Sequence, residues 1–342
     1  MLLERLCNAC GLAGQEDEIR ALLREELAAH VDQIWTDAIG NLIMRKGNGP
    51  TKIMLDAHMD EVGFLVGEIT DQGFLKLKKV GGLDDRVLPG RAVWITSKRI
   101  HGVIGAKAFH LTGGDERGKV LPFSEMVVDL GCTSKAEVEA LGVELGDPVY
   151  FATAAERWGE GILKAKAIDD RVGCYIAAEI LKQPVPESIT LLVSFSVQEE
   201  VGLRGAKVSA YNLQPHVGIA LESTVAADVA SVGSLDTVTN MGEGPAITLY
   251  DSAGIPNQKV QQGLAQVGEQ HGIKHQFRRV VGGGNDAGAI ALQGGGAPVC
   301  AVSIPTRYFH TNAALCHLDD VQAAIDLVSA YITGLAKGEI SL

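Results

Sequence analysis

The chain has 342 residues, 46% hydrophobic and 21% charged, which is enough apolar material for one large domain or two unequal ones. Its formal net charge of −12 argues against a nucleic-acid partner, whose phosphates demand a basic face, and leaves room for divalent metal. No apolar run reaches the roughly 18 to 20 residues that span a bilayer, and residues 1–7 lack a basic stretch leading into an apolar one, so neither a membrane span nor a signal peptide is expected. Six scattered cysteines without an export signal point to reduced thiols in a cytoplasm. Cys7 and Cys10 form one CxxC with no second pair and read as small residues of an N-terminal helix, not as a zinc finger.

Residues 15–30 predict a helix, with Ile19, Leu22, Leu23 and Leu27 on one face and acidic residues near its start. Residues 33–36 and 41–45 predict two short strands with a turn at Gly40. A third, over 51–57, runs straight into His58-Met59-Asp60-Glu61. From about Gly67 to Gly161 the texture changes. Strand-like pieces at 74–80, 92–97, 100–106, 126–130 and 148–152 alternate with glycine and polar turns, and 135–141 is the main helical stretch. This predicts a β-rich domain, residues 67–161, inserted in an α/β domain made of 1–66 and 162–342.

The α/β pattern then resumes. Residues 166–171 lead into an apolar helix over 172–182. Residues 189–197 are apolar and β-branched, as a central parallel strand covered on both faces should be, and they end at Gln198-Glu199-Glu200. A helix over 203–210, a strand over 217–221 ending at Glu222, a helix over 258–271 and a strand over 275–280 follow. The glycine-rich 282–286 opens another helix. A strand over 298–304 stops before Pro305-Thr306-Arg307-Tyr308-Phe309-His310. The helix over 318–335 carries Val321, Ile325, Val328 and Ile332 as a core-facing stripe. The alternation predicts a mixed, mostly parallel sheet sandwiched by helices.

Open parallel sheets bind ligands just beyond the carboxyl ends of their strands. His58, Asp169, Glu200, Glu222 and His310 all stand at or just past such ends. Two imidazoles and three carboxylates suit Zn²⁺, Co²⁺ or Mn²⁺. Five ligands exceed one tetrahedral site, and two metals sharing a bridging carboxylate use them fully. Each residue alone has a plainer reading: a solvated acidic turn, a hydrogen-bonded histidine, a capping aspartate pair. His30, His101, His110, His216, His271, His275 and His317 keep that plainer reading. Asp60, two residues past His58, is close enough to orient its ring. Adjacent side chains diverge at a strand end, so of Glu199 and Glu200 one can hold metal while the other acts as a base. The 282–286 turn lacks both the Lys-Ser/Thr of a P-loop and the GxGxxG order.

His58-Met59-Asp60-Glu61-Val62-Gly63, Ala167-Ile168-Asp169-Asp170-Arg171-Val172-Gly173, Gln198-Glu199-Glu200-Val201-Gly202-Leu203-Arg204-Gly205 and Pro305-Thr306-Arg307-Tyr308-Phe309-His310-Thr311 together resemble the tetrahedral (TET) aminopeptidases of metallopeptidase family forty-two. That family includes glutamyl aminopeptidases and proteins once called endoglucanase M. The resemblance covers the whole chain in order. It implies a zinc-peptidase fold with a barrel or PDZ-like insertion used for dimerisation, and dimers that assemble into a dodecamer. It implies two divalent ions per subunit, zinc or else cobalt or manganese. His58 and Glu222 would hold one, Glu200 and His310 the other, with Asp169 bridging. Glu199 would be the general base, Asp60 the orienter of His58, and Asp169-Asp170 a cis peptide. Arg307, Tyr308 and Asp286 are the candidates for contact with a short peptide substrate. Three positions depart from the family's habit: Asn285 where threonine is usual, Ala314 near where an acidic residue is common, and Glu222 where aspartate also occurs. The expected reaction is release of N-terminal residues. A related dinuclear carboxypeptidase or deacylase is the alternative, although in those relatives the extra domain enters after the Glu-Glu segment. An endoglucanase is a weaker one, because glycosidases need two carboxylates free of metal.

Overall fold

In the computed structural model, residues 1–114, 118–230, 232–233, 238–279 and 283–342 are described. The chain enters through helices α1 (Leu2–Asn8) and α2 (Asp17–Leu27), then the hairpin β1 (Gln33–Thr36) and β2 (Leu42–Lys46), then β3 (Thr51–His58). A second unit follows: β4 (Gly63–Ile69), β5 (Phe74–Val80), β6 (Ala92–Ile95), β7 (Ile100–Gly105), β8 (Val127–Asp129), α3 (Lys135–Ala140) and β9 (Pro148–Phe151). The chain then returns through β10 (Glu156–Trp158), β11 (Ile162–Ala165), α4 (Ile168–Lys182), β12 (Ile189–Ser196), α5 (Arg204–Leu213), β13 (Val217–Val225) and β14 (Ala246–Thr248). It finishes with α6 (Gln258–His271), β15 (Gln276–Arg278), α7 (Asp286–Ala291), β16 (Val299–Arg307), β17 (Ala314–His317) and α8 (Leu318–Lys337).

Two sheets result. Six strands close into an antiparallel barrel in the order β4-β5-β8-β7-β6-β9. The larger sheet runs β1-β2-β12-β3-β13-β16-β17-β11-β10, with β14 and β15 attached at β16. Its centre, β12-β3-β13-β16, is parallel, and its flanks are antiparallel. The barrel strands run from Gly63 to Phe151, earlier at both ends than the expected 67–161, and Glu156–Trp158 pairs within the large sheet instead. Strand texture alone cannot tell which of two sheets an edge strand joins.

The central strands are apolar because both faces are covered. All eight residues of β12 are buried, and so are eight of the nine in β16. Helices α4 and α8 pack Val172, Ile176, Ile180, Val321, Ile325 and Val328 onto one face. Helices α5 and α7 pack Ala206, Ala210 and Ile290 onto the other. The barrel fills its own core around Phe64, Val93, Val128 and Phe151. Strand β16 runs on to Arg307, three residues past the expected end, because its partner β13 continues alongside as far as Val225. Of the expected strand 275–280, Gln276–Arg278 is formed, and Val280 lies outside the described residues, as does Gly282 of the glycine-rich turn. Among the described residues no helix is long and apolar enough to cross a membrane. All six cysteines are free thiols.

Candidate metal centre

The parallel register brings the ligand candidates together. His58 is the last residue of β3 and pairs with Ser196, the last of β12. Glu222 lies on β13, one strand away, and Glu199 and Glu200 follow β12 after Val197 and Gln198. Asp169 comes from the start of α4, where the Asp169-Asp170 peptide is cis. His310 follows β16. Backbone strain concentrates here: Ala167, Gln198, Leu203, Tyr308 and His310 all adopt left-handed φ of 52° to 58°. Such conformations in non-glycine residues cluster where surrounding structure over-determines a functional loop.

The side chains form two triads that share one member. His58, Asp169 and Glu222 make the first and Asp169, Glu200 and His310 the second, the ligand atoms of each lying within 4.8 Å of one another. His58 Nε2 stands 3.4 Å from Asp169 Oδ1 and 3.9 Å from Glu222 Oε2. His310 Nε2 stands 2.9 Å from Asp169 Oδ2 and 3.2 Å from Glu200 Oε1. Glu199 belongs to neither triad, but its Oε2 lies 3.9 Å from His58 Nε2.

A layer of hydrogen bonds fixes both rings. His58 Nδ1 donates to the Asp60 carbonyl at 3.1 Å, with Asp60 Oδ1 at 3.5 Å. His310 Nδ1 donates to the Gly82 carbonyl at 2.8 Å, from the link between β5 and β6. Both Nε2 atoms are thereby turned to the cluster. The buried Asp60 carboxylate also receives the amides of Glu199 and Glu200, at 3.0 and 3.1 Å. Asp60 therefore aims the two neighbouring glutamates as well as the ring, a role that spacing along the chain did not reveal. Asp170 Oδ2 accepts from the His58 amide at 3.2 Å, and the Asp286 amide donates to Glu222 Oε1 at 3.2 Å.

Electrostatics show what the cluster needs. Burial would lower both imidazoles, yet Asp169 and its neighbours hold His58 well above its ordinary value and His310 up at about 10. Asp169 is depressed: burial opposes this, but hydrogen bonds from His310 and His58 win. Burial raises Glu222, with Asp170, Glu199 and Asp169 adding to it, and pushes Glu199 up to about 8. This is an acidic pocket that demands positive charge, as a divalent-cation site does. Glu200 Oε1 is buried with His310 Nε2 as its neighbour at 3.2 Å, as suits two ligands placed to share a cation. The donor set and its geometry fit divalent metal.

Behind the triads lies an acidic layer absent from the sequence reading. Ser196 Oγ sits 2.9 Å from Asp56 Oδ2 and 3.0 Å from Asp286 Oδ2, all three buried. One hydroxyl donates once, so it can serve only one of the two carboxyl groups as donor. Burial raises both acids. The one available signal was an aspartate inside the apolar run of β3. Asp286 is thus a buried support for Glu222 and does not line the cleft. Arg307 does not line it either: its Nε and Nη2 grip Asp228 at 2.8 and 2.7 Å. Tyr308 is 55% exposed and is not among the residues that line the cleft. Besides the ligands, the residues lining the cleft of about 460 Å³ include Ser252, Ala253, Arg278, Gly283, Gly284 and Asn285. Asn285, one of the departures, caps α7 through the Ala287 amide and donates Nδ2 to Asp251 at 2.7 Å.

The family model described as M42 glutamyl aminopeptidase matches residues 40–327. The chain belongs to the M42 peptidase family. This M42 peptidase is 36% identical over 343 residues to FrvX of Escherichia coli (strain K12), covering 99% of this chain and 96% of that one. It is similar to the TET aminopeptidase from the marine sediment archaeon Thaumarchaeota archaeon SCGC AB-539-E09, with a TM-score of 0.94, 35% identity, and 98% and 97% of the two chains covered. It is also similar to the Pyrococcus horikoshii TET1 peptidase, described as assembling into a tetrahedron or a large octahedral shell, with a TM-score of 0.86, 33% identity, and 96% and 97% covered. The M42 peptidase is accordingly an aminopeptidase that uses divalent metal.

Proposed function

We propose that this M42 peptidase removes the first residue of short peptides at a dinuclear centre whose base is Glu199. The observation that carries the reading is the pair of triads sharing Asp169, with Glu199 beside them and outside both. His58 and Glu222 would hold one ion, Glu200 and His310 the other, and Asp169 would bridge. When bound, the ions would acidify a water and polarise the scissile carbonyl. The chain's own residues do the rest. Glu199, fixed by the bond from its amide to Asp60, accepts a proton from the attacking water and returns it to the leaving amine. Asp60 and the Gly82 carbonyl hold the two rings in register. The likeness to proteins described as aminopeptidases supports cleavage at the amino end of the peptide.

The likeness to TET structures supports self-assembly, with the barrel as the dimerising unit. The test of the reaction is to acetylate the N-terminus of a good peptide substrate. Cleavage should be abolished, and equal rates on blocked and free peptides would refute an aminopeptidase.

A further inference from the structure

A second cavity of about 170 Å³ adjoins the metal cleft. Its lining is mostly apolar, from Ile255, Pro256, Ala287, Leu292, Val299 and Ala301. Among the described residues the two spaces share a single lining residue, Ala253.

The loop carrying Ala253 is clamped. Asp251 Oδ1 accepts from the amides of Ala253 at 2.8 Å and Gly254 at 3.0 Å, and Asp251 Oδ2 accepts from Asn285 Nδ2 at 2.7 Å. The Ser252 amide donates to the Gly283 carbonyl at 3.1 Å. The Ala253 methyl then sits in a notch formed by two glycines. A Cβ on Gly284 would lie 2.7 Å from the Ala253 Cβ, and a Cβ on Gly288 2.5 Å from it. Neither position tolerates a side chain while the loop stays where it is. The lack of a side chain at both glycines is what leaves room for that one methyl group.

We propose that Ala253 is the gate that sets how long the first side chain of a peptide can be. The proposal rests on reading the cleft as the place where a peptide's first residue is held. With the amine and scissile carbonyl beside the ligands, that side chain would extend toward Ser252, Ala253, Gly283 and Gly284, which line the same cleft. A short chain would end before them. A long unbranched chain would meet the Ala253 methyl and stop, although an apolar space of about 170 Å³ lies beyond it. Because Ala253 lines both spaces, removing that methyl would open one toward the other.

The experiment uses the full chain loaded with metal and peptides X-Ala-Ala, where X is alanine, 2-aminobutyrate, norvaline or norleucine. In the native protein kcat/KM should drop beyond one chain length. Ala253→Gly should move the drop to longer chains and raise the norleucine-to-alanine ratio by about tenfold, the low end of what one methylene is worth in an apolar pocket. In Ala253→Gly/Gly284→Ala the methyl returns from the other side, its next contacts being 3.3 Å to the Ala253 nitrogen and 3.4 Å to its Cα. That double variant should restore the native drop, which general loosening of the loop would not do. A ratio unchanged in Ala253→Gly, or still raised in the double variant, overturns the gate. If Ala253→Gly fails to fold, Gly288→Ala carries the test. Its Cβ also meets the Ala253 carbonyl oxygen at 2.7 Å, so the loop is driven into the cleft and the ratio should fall; an unchanged ratio overturns the proposal equally. A native protein that leaves every free-amine peptide intact removes the reading of the cleft and the gate with it. An unchanged Ala253→Gly in a working enzyme removes the gate alone.

Discussion

Replacing Glu61 by glutamine should cost more stability than replacing Lys166 by methionine, although the two are partners. Glu61 lies beside the orienting Asp60, and its side chain is 2% exposed. Lys166 Nζ sits 2.7 and 2.9 Å from its two oxygens, and Arg171 Nη2 sits 3.2 Å from Oε1. Both cations are fully buried. Lys166 also donates to the Ala9 carbonyl, and the Gly11 amide donates to Glu61. Arg171 Nε and Nη1 are buried with no partner among the described residues, so Glu61 is its one carboxylate. Lys166→Met leaves Glu61 held by Arg171 and the Gly11 amide. Glu61→Gln strips two buried cations of their counter-charge. Breaking a buried pair costs about 3–5 kcal/mol, and the lower figure suits Lys166→Met and the upper Glu61→Gln. With an unfolding entropy of ~2.1 cal/mol/K per residue over 342 residues, those costs lower Tm by roughly 4 and 7 °C. Calorimetry at several scan rates reads the difference. The double variant should lose less than the sum of the two, because both act on one network. Equal losses, a larger loss in Lys166→Met, or strict additivity would show that the cluster is not organised around Glu61.

Elemental analysis after reconstitution should find about two metal equivalents per chain, and a ceiling of one would refute the shared-Asp169 centre. Glu199→Gln should keep both metals and lose ~10²–10⁴-fold in kcat, whereas Glu200→Gln should lose metal as well. The reverse pattern of metal content would exchange their roles. Light scattering on the intact protein should give a mass far above 36.1 kDa, and a clean monomer at micromolar concentration would contradict assembly.

The parts of the site legible in the sequence are those a strand end announces. Buried strands are apolar throughout, so the histidine or carboxylate that breaks each run stands out: His58 after Ala57, Glu199 and Glu200 after Val197, Glu222 after Leu221. Side chains that owe their place to distant partners gave no such signal. Arg307 looks like a substrate-binding residue until Asp228, on a separate loop, is found holding it in two bonds. Asp286 looks like a cleft residue until its neighbours prove to be Ser196 and the Glu222 carboxylate. The cleft wall at Ser252 and Ala253 has no periodicity to read. The barrel was legible as texture, since short strands between glycine turns differ from helix-bearing segments, but its closure and its edges depend on pairing.

The hydrogen bond from His310 to the Gly82 carbonyl joins the two folded units at the reacting centre. A Cβ on the neighbouring Gly81 would lie 3.2 Å from Glu200 Oε2, so the same short link also crowds the other ligand of that triad. The insertion therefore cannot be trimmed as a module. An engineered minimal enzyme that replaces the barrel with a short linker would keep every ligand and still lose the acceptor that sets the tautomer of one imidazole. Any transplanted domain would have to offer a backbone carbonyl at that one spot.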